Sequence, residues 1–288
     1  MGKVPFSRAI HTNLKTTLRM KYLILTVVIF SLIGLFSVYE VVTYPSSFSK
    51  NVWDVLFVTF AGPSISDDSL FNFIFWFLPY LMFFYMFGNT AEEELSQRGV
   101  SIIPLIGSRR KWWLGEVATL FILSIIYVLI GIATVLAVSL FFLPLSNQIS
   151  PFLLSLKLWQ IPKDTTVVTL MIRWVFPLFG STLFALSFIQ MALSVIWKNS
   201  FTALILVCAV MILSWLFGIG HPYVVRWLPG SQSMLLRHTF LDPTVYVFSL
   251  TWSLVYNAII ILIILAVSFI YVRRMDIFKK ISEIHKEA

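Results

Sequence analysis

The chain has 288 residues, of which 59% are hydrophobic and only 12% charged, and its formal net charge is +8. Soluble domains carry about 25% charged residues, whereas an ionised side chain near the centre of a bilayer costs roughly 2.5–3.5 kcal/mol. The composition therefore excludes a soluble domain and predicts an all-α polytopic membrane protein, folded as one domain over residues 1–288.

The first 21 residues precede any apolar run and form a two-faced pattern. At helical spacing, Phe6, Ile10 and Leu14 fall on one face, while Arg8 and Lys15 fall on the other. Such a pattern is typical of an amphipathic helix that lies in a membrane interface. We predict that residues 1–21 form this helix on the cytoplasmic side, either as a plain surface anchor or as a lever that contacts a partner.

Six apolar runs are long enough to cross a bilayer, which takes ~17–25 residues in a helix. They cover residues 22–42, 70–88, 117–143, 171–197, 201–219 and 246–272. Six spans place both termini on one side, and that side would hold 15 of the 21 Lys and Arg residues. The positive-inside rule therefore predicts six transmembrane helices with both termini cytoplasmic.

The positive charge and the single cysteine exclude two further kinds of site. The Lys and Arg residues are scattered over positions next to the membrane, where anionic lipids account for them, so we expect no nucleic-acid partner. Cys208 lies inside an apolar run, which leaves neither a disulfide framework nor a cysteine-based metal site.

Three outer segments are not simple loops. Residues 52–60 and 223–241 are too short to span but too apolar for a loop, and we expect them to lie in the outer interface or to re-enter it. The second of these gives a semi-buried outer segment over residues 220–245. Residues 144–170 contain Pro144, Pro151 and Pro162 and are predicted to form an irregular lid.

The charged stretch 89–116, between the second and third predicted spans, permits a catalytic interpretation. Residues 93–98 match the EExxxR signature of CAAX-type intramembrane proteases, in which Glu93 and Glu94 would activate water. That family also needs an FxxxH segment and an HxxxN or HxxxD segment, and the chain has FxxxH at 217–221 and HxxxD at 238–242. The predicted topology places them at the outer face, about 30 Å from the two glutamates. This distance argues against catalysis.

The same residues also fit a short cytoplasmic helix to which another protein binds. Thr90 and Glu93 have the spacing of a capping box. Acidic residues fill the predicted first turn, as the helix dipole favours, and Gly99 would provide a left-handed stop. We therefore predict a capped helix over residues 91–98.

Basic residues open the third predicted span. Ser108 stands where an N-cap is expected, and Arg109, Arg110 and Lys111 follow in the first turn. Cations at a helix N-terminus oppose its dipole by roughly 0.3–1 kcal/mol each. We expect anionic headgroups, a partner surface or both to offset this cost.

The arrangement of these elements resembles the membrane subunit of ABC-2-type exporters. That family shows six spans, inner termini, an amphipathic N-terminal helix and a loop like the one over 89–116. In this chain the loop has acidic residues at 92–94, then Gly99, an apolar run over 100–106 and Ser108-Arg109. The long 144–170 segment and Glu116, where the family often has lysine, depart from the pattern and leave the subfamily open.

The resemblance implies a non-enzymatic permease domain that exports a hydrophobic or amphipathic compound across a bacterial cytoplasmic membrane. Antimicrobial peptides, drugs and lipid-like molecules are the expected cargo classes. The sequence has no GxxxxGK[ST] phosphate loop, so a separate ABC ATPase subunit would bind ATP with Mg²⁺, and this chain would bind no cofactor or metal. A second permease copy, identical or different, would complete the complex. The ATPase would dock on residues 89–116, and the predicted coupling residues are Glu92, Glu93, Glu94, Arg98, Arg109, Arg110 and Lys111.

Few polar side chains lie inside the predicted spans. Gln190 and Asn257 either form hydrogen bonds between helices or line a substrate path. They offer no acid–base relay of the kind that a proton-coupled carrier needs. A proton-coupled secondary transporter and the CAAX-type protease are the two alternative functions.

Overall fold

The computed structural model describes residues 6–44, 48–63, 69–155, 166–219, 221–239 and 248–275. Within these ranges the chain is helical and contains no strand. Six helices are long and apolar enough to cross a membrane: Met20–Thr43, Leu70–Ser96, Arg109–Leu140, Val167–Trp197, Ser200–Gly218 and Leu250–Arg274. The prediction of an all-α chain is therefore confirmed over the described ranges, and six helices have the length and composition to span a membrane, with boundaries that differ by a few residues from the predicted ones.

The helices follow one another in the order α1 to α12. Their bounds are α1 Phe6–Thr17, α2 Met20–Thr43, α3 Val52–Ala61, α4 Leu70–Phe87, α5 Thr90–Ile106, α6 Arg109–Leu140, α7 Pro151–Ser155, α8 Val167–Leu170, α9 Phe176–Trp197, α10 Ser200–Gly218, α11 Pro222–Val225 and α12 Leu250–Arg274. A π-helical turn, Met171–Val175, joins α8 to α9, and two 3₁₀ turns, Pro229–Ser233 and Leu235–Arg237, follow α11.

Side-chain caps fix the first turns of several long helices. The Ser69 and Ser249 hydroxyls accept the backbone N–H of Asn72 and Trp252 at the starts of α4 and α12. Between α9 and α10, Lys198 is left-handed with φ 55°, and the Asn199 side chain accepts the Thr202 N–H. Each cap satisfies a backbone donor that has no partner within its helix.

The π-helical turn before α9 has a local cause in Pro177. Proline has no backbone N–H, so position 177 cannot donate to the carbonyl of Arg173 as a regular α-helix requires. The Phe176 N–H donates instead to the Met171 carbonyl, five residues earlier. The chain thus passes this point with a wider turn while it remains helical over the whole of Val167–Trp197.

The short helix α3 lies inside the bundle. Eight of its ten residues are buried, and it packs against α2, α4 and α6. A complete capping box starts it, because the Asn51 side chain accepts the Asp54 N–H and the Asp54 carboxyl accepts the Asn51 N–H. The Ser150 hydroxyl donates to the other Asp54 oxygen at 2.5 Å. Burial raises the pKa of the Asp54 carboxyl, and the bonds from Ser150 and Asn51 partly oppose the shift.

An aromatic core joins α2, α3, α4 and α6. The ring of Phe30 lies 5.3 Å from that of Tyr127 and 6.1 Å from that of Phe60, measured between centroids. The Tyr127 hydroxyl donates to the carbonyl of Pro79 at 2.8 Å, which ties α6 to α4. Gly131 on α6 leaves room for Phe30, because a Cβ there would approach three atoms of the ring to 2.5–2.7 Å.

The order of the spans defines two ends of the bundle. At the α1 end lie α1, α5, the start of α6, the turn at Lys198 and the last turn of α12. At the opposite end lie α3, α7, α11 and the two 3₁₀ turns. Contacts of α1 with α5 and α6, and of the Pro229–Ser233 turn with α9, α10 and α12, agree with this division. Both ends of the described chain, Phe6 and Met275, lie at the α1 end.

Candidate functional site

Helix α5 is longer than the sequence predicts. It covers Thr90–Ile106, passes through Gly99 and Pro104, and ends at Gly107, which is left-handed with φ 80°. The predicted helix over 91–98 with a stop at Gly99 is therefore wrong. Gly99 is buried, and a Cβ there would meet a side-chain carbon of Leu95 at 3.0 Å. The glycine thus accommodates a neighbouring side chain inside the helix and does not end it.

The predicted cap of this helix is also different in the structure. Thr90 is the first helical residue, and Asn89 occupies the N-cap position. The Asn89 amide donates to a carboxylate oxygen of Glu93 at 2.8 Å, so no Thr90–Glu93 capping box forms. Glu92 and Glu93 lie in the first turn, where a negative charge is favourable. Glu93 is exposed and Glu92 is half-buried.

Glu94, the third glutamate of α5, contacts the start of α6. Its carboxylate accepts a hydrogen bond from the indole N–H of Trp112, on the first turn of α6, at 2.8 Å. One turn further along α6, the buried Glu116 carboxyl accepts a hydrogen bond from the side-chain amide of Asn13 on α1. Glu94 and Glu116 also line the same small cavity. We name Asn13, Glu94, Trp112 and Glu116 the acidic junction.

The acidic junction holds three elements together in a small polar cavity. The cavity has a volume of about 70 Å³, and its walls include Thr16, Tyr22 and Thr90 as well as three members of the junction. The junction therefore links α1 to α6 through the Asn13–Glu116 hydrogen bond and α5 to α6 through the Glu94–Trp112 hydrogen bond.

The basic residues at the start of α6 bind the end of the last span. The Arg109 guanidinium donates to the Met275 carbonyl at 2.5 Å and to the Arg273 carbonyl at 3.4 Å. The Arg110 guanidinium lies 5.3 Å from the ring centre of Phe269. A cation at the C-terminus of α12 is favoured by the dipole of that helix, which offsets the unfavourable position of Arg109 at the N-terminus of α6.

Ser108 and Lys111 stand next to Arg109 and Arg110 at the start of α6. Ser108 occupies the N-cap position of α6, as expected, but its side chain makes no capping hydrogen bond. Lys111 is exposed. The side chain of Arg98 lies outside the described part of the structure. Trp113 donates its indole N–H to the Ser268 hydroxyl at 3.0 Å, so α6 and α12 are joined at two successive levels.

The residues that a CAAX-type protease would need lie at opposite ends of the bundle. The His238 imidazole contacts the Ser253 hydroxyl at 2.7 Å, on the first turn of α12. Glu94 binds the first turn of α6, which contacts Met275 just beyond the end of α12. Ser253 and Met275 are 22 residues apart on one helix, or about 33 Å. Glu93 and Glu94 therefore cannot share a water molecule with His238.

The two predicted substrate-path residues form hydrogen bonds between helices. The side-chain amide of Gln190 on α9 donates to the Phe84 carbonyl of α4 at 3.1 Å, where Gly88 allows the close approach. The side-chain amide of Asn257 on α12 lies 3.0 Å from the Ser181 hydroxyl and 2.9 Å from the Thr182 hydroxyl, both on α9. A substrate path along either residue stays a prediction.

Sequence reasoning missed Trp112 as the partner of Glu94, and Asn13 as the partner of Glu116. Trp112 and Glu116 are four residues apart and share one face of α6, which was a readable signal. No sequence spacing places Asn13 beside Glu116, because 103 residues separate them. Arg237 was also missed: its buried guanidinium donates to the Ser214 and Trp215 carbonyls near the end of α10.

Within the described ranges, no group of three His, Cys, Asp or Glu side chains is placed to bind a metal ion. No family model, no curated protein and no solved structure matches the chain. The likeness to ABC-2-type membrane subunits therefore rests on the residues of the 89–116 stretch and on the order of the spans.

Proposed function

We propose that the chain is the membrane-spanning subunit of an ABC-2-type exporter in a bacterial cytoplasmic membrane. The α1 end faces the cytoplasm, where a separate ABC ATPase subunit binds ATP with Mg²⁺ and docks on α5. A second permease chain completes the complex. The chain itself performs no catalysis, and the cargo is a hydrophobic or amphipathic compound.

The arrangement of α5 is the observation that supports this proposal best. One side of α5 is fixed to α1 and α6 at the acidic junction, and its first turn carries the exposed Glu93 and the half-buried Glu92. A force applied to the first turn therefore reaches α6 through the Glu94–Trp112 hydrogen bond, without passing through a flexible loop. A docking helix that transmits motion from an ATPase requires such an attachment.

The distribution of charge supports the orientation. The predicted topology assigns 15 of the 21 Lys and Arg residues of the sequence to the side that holds α1 and α5. Positively charged segments next to spans are retained on the cytoplasmic side. The first turn of α5 thus lies where a soluble ATPase can reach it.

Charge reversal of Glu92 and Glu93 tests the docking of an ATPase. We expect Glu92→Lys with Glu93→Lys to leave membrane insertion intact, because Glu93 is exposed, Glu92 is half-buried at a helix end, and ion pairs at the surface contribute only ~0–1 kcal/mol to stability. Like charges across an interface cost several kcal/mol. A tagged variant purified from host membranes should therefore lose a co-purifying chain that carries a GxxxxGK[ST] sequence, and with it ATP hydrolysis.

A matched control introduces two positive charges at the opposite end of the bundle. Asn147 and Gln148 are exposed there, and Asn147→Lys with Gln148→Lys should retain both the ATPase chain and its activity. The proposal is wrong if the α5 variant keeps a functional ATPase complex, if the isolated chain hydrolyses ATP, or if export stops when only the pH gradient is collapsed. The last result would favour a proton-coupled carrier.

The arginines at positions 109 and 110 are unsuitable for this test. A carboxylate at position 109 would face the carbonyl oxygens of Arg273 and Met275, which now accept hydrogen bonds from the guanidinium. Arg109→Glu would therefore separate the start of α6 from the end of α12. Any loss of ATPase would then have a structural explanation inside this chain.

A further inference from the structure

A groove of about 760 Å³ is bordered by α6, α9 and α12. The lining residues of α6 extend from Phe121 to Ile132, which corresponds to about 16 Å along the helix. Ile125 and Leu129 of α6 and Leu262 of α12 line the groove and are also exposed, so the groove is open to the side, where lipid surrounds the spans. Half of the hydrocarbon core of a bilayer is about 15 Å thick. This space, which we name the α6–α12 groove, therefore has the length of one lipid leaflet.

The wall of the α6–α12 groove presents no unused hydrogen-bond donor among its described lining residues. Ser124 and Ser181 are the two polar side chains of that wall. Each hydroxyl donates to a carbonyl of its own helix, Ser124 to Phe121 and Ser181 to Leu178. The Ser181 hydroxyl also accepts a hydrogen bond from the side-chain amide of Asn257. A ligand inside the groove would therefore be held by apolar contacts, as a hydrocarbon chain is.

The groove is closed toward the α1 end of the bundle. There the rings of Phe121 and Phe184, which both line it, meet edge to face with centroids 5.1 Å apart. The ring of Phe184 also stacks on that of Phe188. Further toward the α1 end, the hydrogen bond from Trp113 to Ser268 joins α6 to α12. A hydrocarbon chain can therefore enter the groove from the side or from the opposite end of the bundle.

A cation stands at that open end. Arg173 precedes Phe176 and Pro177, which line the groove, by three and four residues, so the three side chains share one face of the span. Arg173 is exposed, and helical side chains lean toward the N-terminus of their helix, which is here the open end. Its guanidinium lies 5.3 Å from the ring centre of Trp174, and it pairs with no carboxylate in the described ranges.

The position of Arg173 along the bundle fits that of a lipid headgroup. Asn257 of α12 contacts Ser181 of α9, and both helices run from the open end toward the α1 end. Eight residues back from this contact, α9 leads to Arg173 and α12 leads to its N-cap, Ser249. Arg173 therefore lies at about the level where α12 begins. The neighbouring Trp174 is of a residue type that is enriched where spans meet the membrane interface.

We propose that the α6–α12 groove holds an acyl chain of one anionic phospholipid whose phosphate binds Arg173. The acyl chain follows the groove along α6, and the guanidinium donates to the phosphate oxygens at its open end. No acidic side chain is among the described lining residues. A headgroup with a net negative charge is favoured over one whose ammonium neutralises the phosphate. This binding requires only residues of this chain and does not depend on the proposed ATP-driven export.

The test compares two phospholipids with identical acyl chains and different headgroup charge. Protein delipidated in detergent is titrated with phosphatidylglycerol, and separately with phosphatidylcholine, and bound lipid is counted by native mass spectrometry. We expect one phosphatidylglycerol per chain, bound about fivefold more tightly than phosphatidylcholine, since a cation near an anionic headgroup contributes a factor of that size. Equal affinities would overturn the proposal. So would a dimer that binds no lipid, because a second copy of the chain would then cover the groove.

Two matched substitutions locate the headgroup. Arg173→Gln should lower the affinity for phosphatidylglycerol about fivefold, to that for phosphatidylcholine. Arg274→Gln removes the same charge from another exposed position, at the α1 end, and should leave the preference for phosphatidylglycerol intact. An undiminished preference in Arg173→Gln, or an equal loss in both variants, would show that the headgroup does not bind at Arg173.

Two further substitutions locate the acyl chain. Ala258 lines the groove and is exposed, so Ala258→Phe narrows the groove without entering the core. This variant should bind neither lipid stoichiometrically. The control is Ile259→Phe, because Ile259 is the next residue of α12, is exposed and does not line the groove. Unchanged lipid binding by Ala258→Phe would exclude the groove as the site. The comparison of the two lipids on the unsubstituted protein stands even if a variant fails to fold.

Discussion

The Ser253 hydroxyl has one proton and two acceptors close to it. The Gln232 side-chain oxygen lies 2.8 Å away and the His238 Nε2 atom 2.7 Å away, while His238 Nδ1 faces the carbonyls of Met234 and Leu235. Nδ1 therefore carries an imidazole proton, and the single Ser253 proton can satisfy only one of its two neighbours, Nε2 or the Gln232 oxygen, at a time. Burial lowers the pKa of His238 to about 4, and the bonds to the two carbonyls partly oppose the shift.

The lowered pKa of His238 predicts a loss of stability in acid. The unfolded imidazole titrates near pH 6.5 and the folded one near pH 4, so the unfolded state binds more protons between these values. The contribution of His238 to stability is complete above pH 6.5 and declines as the pH falls toward 4. We expect the melting temperature of the protein in detergent to decrease between pH 7.5 and 5.

Two histidine variants isolate this contribution to the pH dependence. His238→Gln should reduce the decrease in melting temperature between pH 7.5 and 5. His11→Gln, which changes an exposed residue of α1, should leave that decrease as in the unchanged protein. An identical decrease in all three proteins would show that His238 does not titrate in this range.

At the scale of the helices, close packing between α2 and α6 depends on glycine. A Cβ at position 131 would overlap the ring of Phe30, which is fully buried and held by Phe60 and Tyr127. On α2, a Cβ added at Gly34 would lie 3.5–3.6 Å from atoms of Val135 and Val138. The two helices therefore approach each other along a face that small residues keep open.

An added methyl group at this contact should destabilise the protein. Overpacking of a buried site costs ~1–3 kcal/mol, and we expect Gly131→Ala to lower the melting temperature measurably. Gly180→Ala is the control, because its Cβ would meet only Val128, at 3.9 Å. If both variants melt at the temperature of the unchanged protein, the contact between Phe30 and Gly131 is looser than described.

The six spans could be predicted from the sequence because each is a run of apolar residues that is long enough to cross a bilayer as a helix. The length of α5 could not be predicted, because glycine is common at helix ends. Only the structure shows that Gly99 lies inside the helix, in contact with Leu95. The acidic junction was equally hidden. The sequence shows that Glu94 and Glu116 are charged, but their meeting with Asn13 depends on how α1 packs against α6.

At the scale of the whole molecule, the position of the chain in the membrane can be measured directly. We expect the α1 end to face the cytoplasm. In a Cys208→Ser background, Ser96→Cys on α5 and Asn147→Cys at the opposite end both introduce thiols at exposed positions. An impermeant thiol reagent applied to intact cells should label Asn147→Cys and leave Ser96→Cys unlabelled.

Permeabilised cells supply the control, because both thiols should then react. Labelling of Ser96→Cys in intact cells would reverse the orientation. It would also place α5 where no cytoplasmic ATPase could bind it, and the proposed function would have to be abandoned.

Helix α6 contains 32 residues, which corresponds to a rod of about 48 Å. Its first turns are held by α1, α5 and α12, while α2 and α3 pack along it further on. A rod of this length multiplies small rotations: a tilt of about 5° at one end displaces the other by about 4 Å. Ser37 of α2 and Phe57 of α3 line a cavity of about 490 Å³ toward the opposite end of the bundle, so a displacement of that size would change the width of this space. A small rotation at the first turns of α6 would thus be amplified at the other end of the bundle.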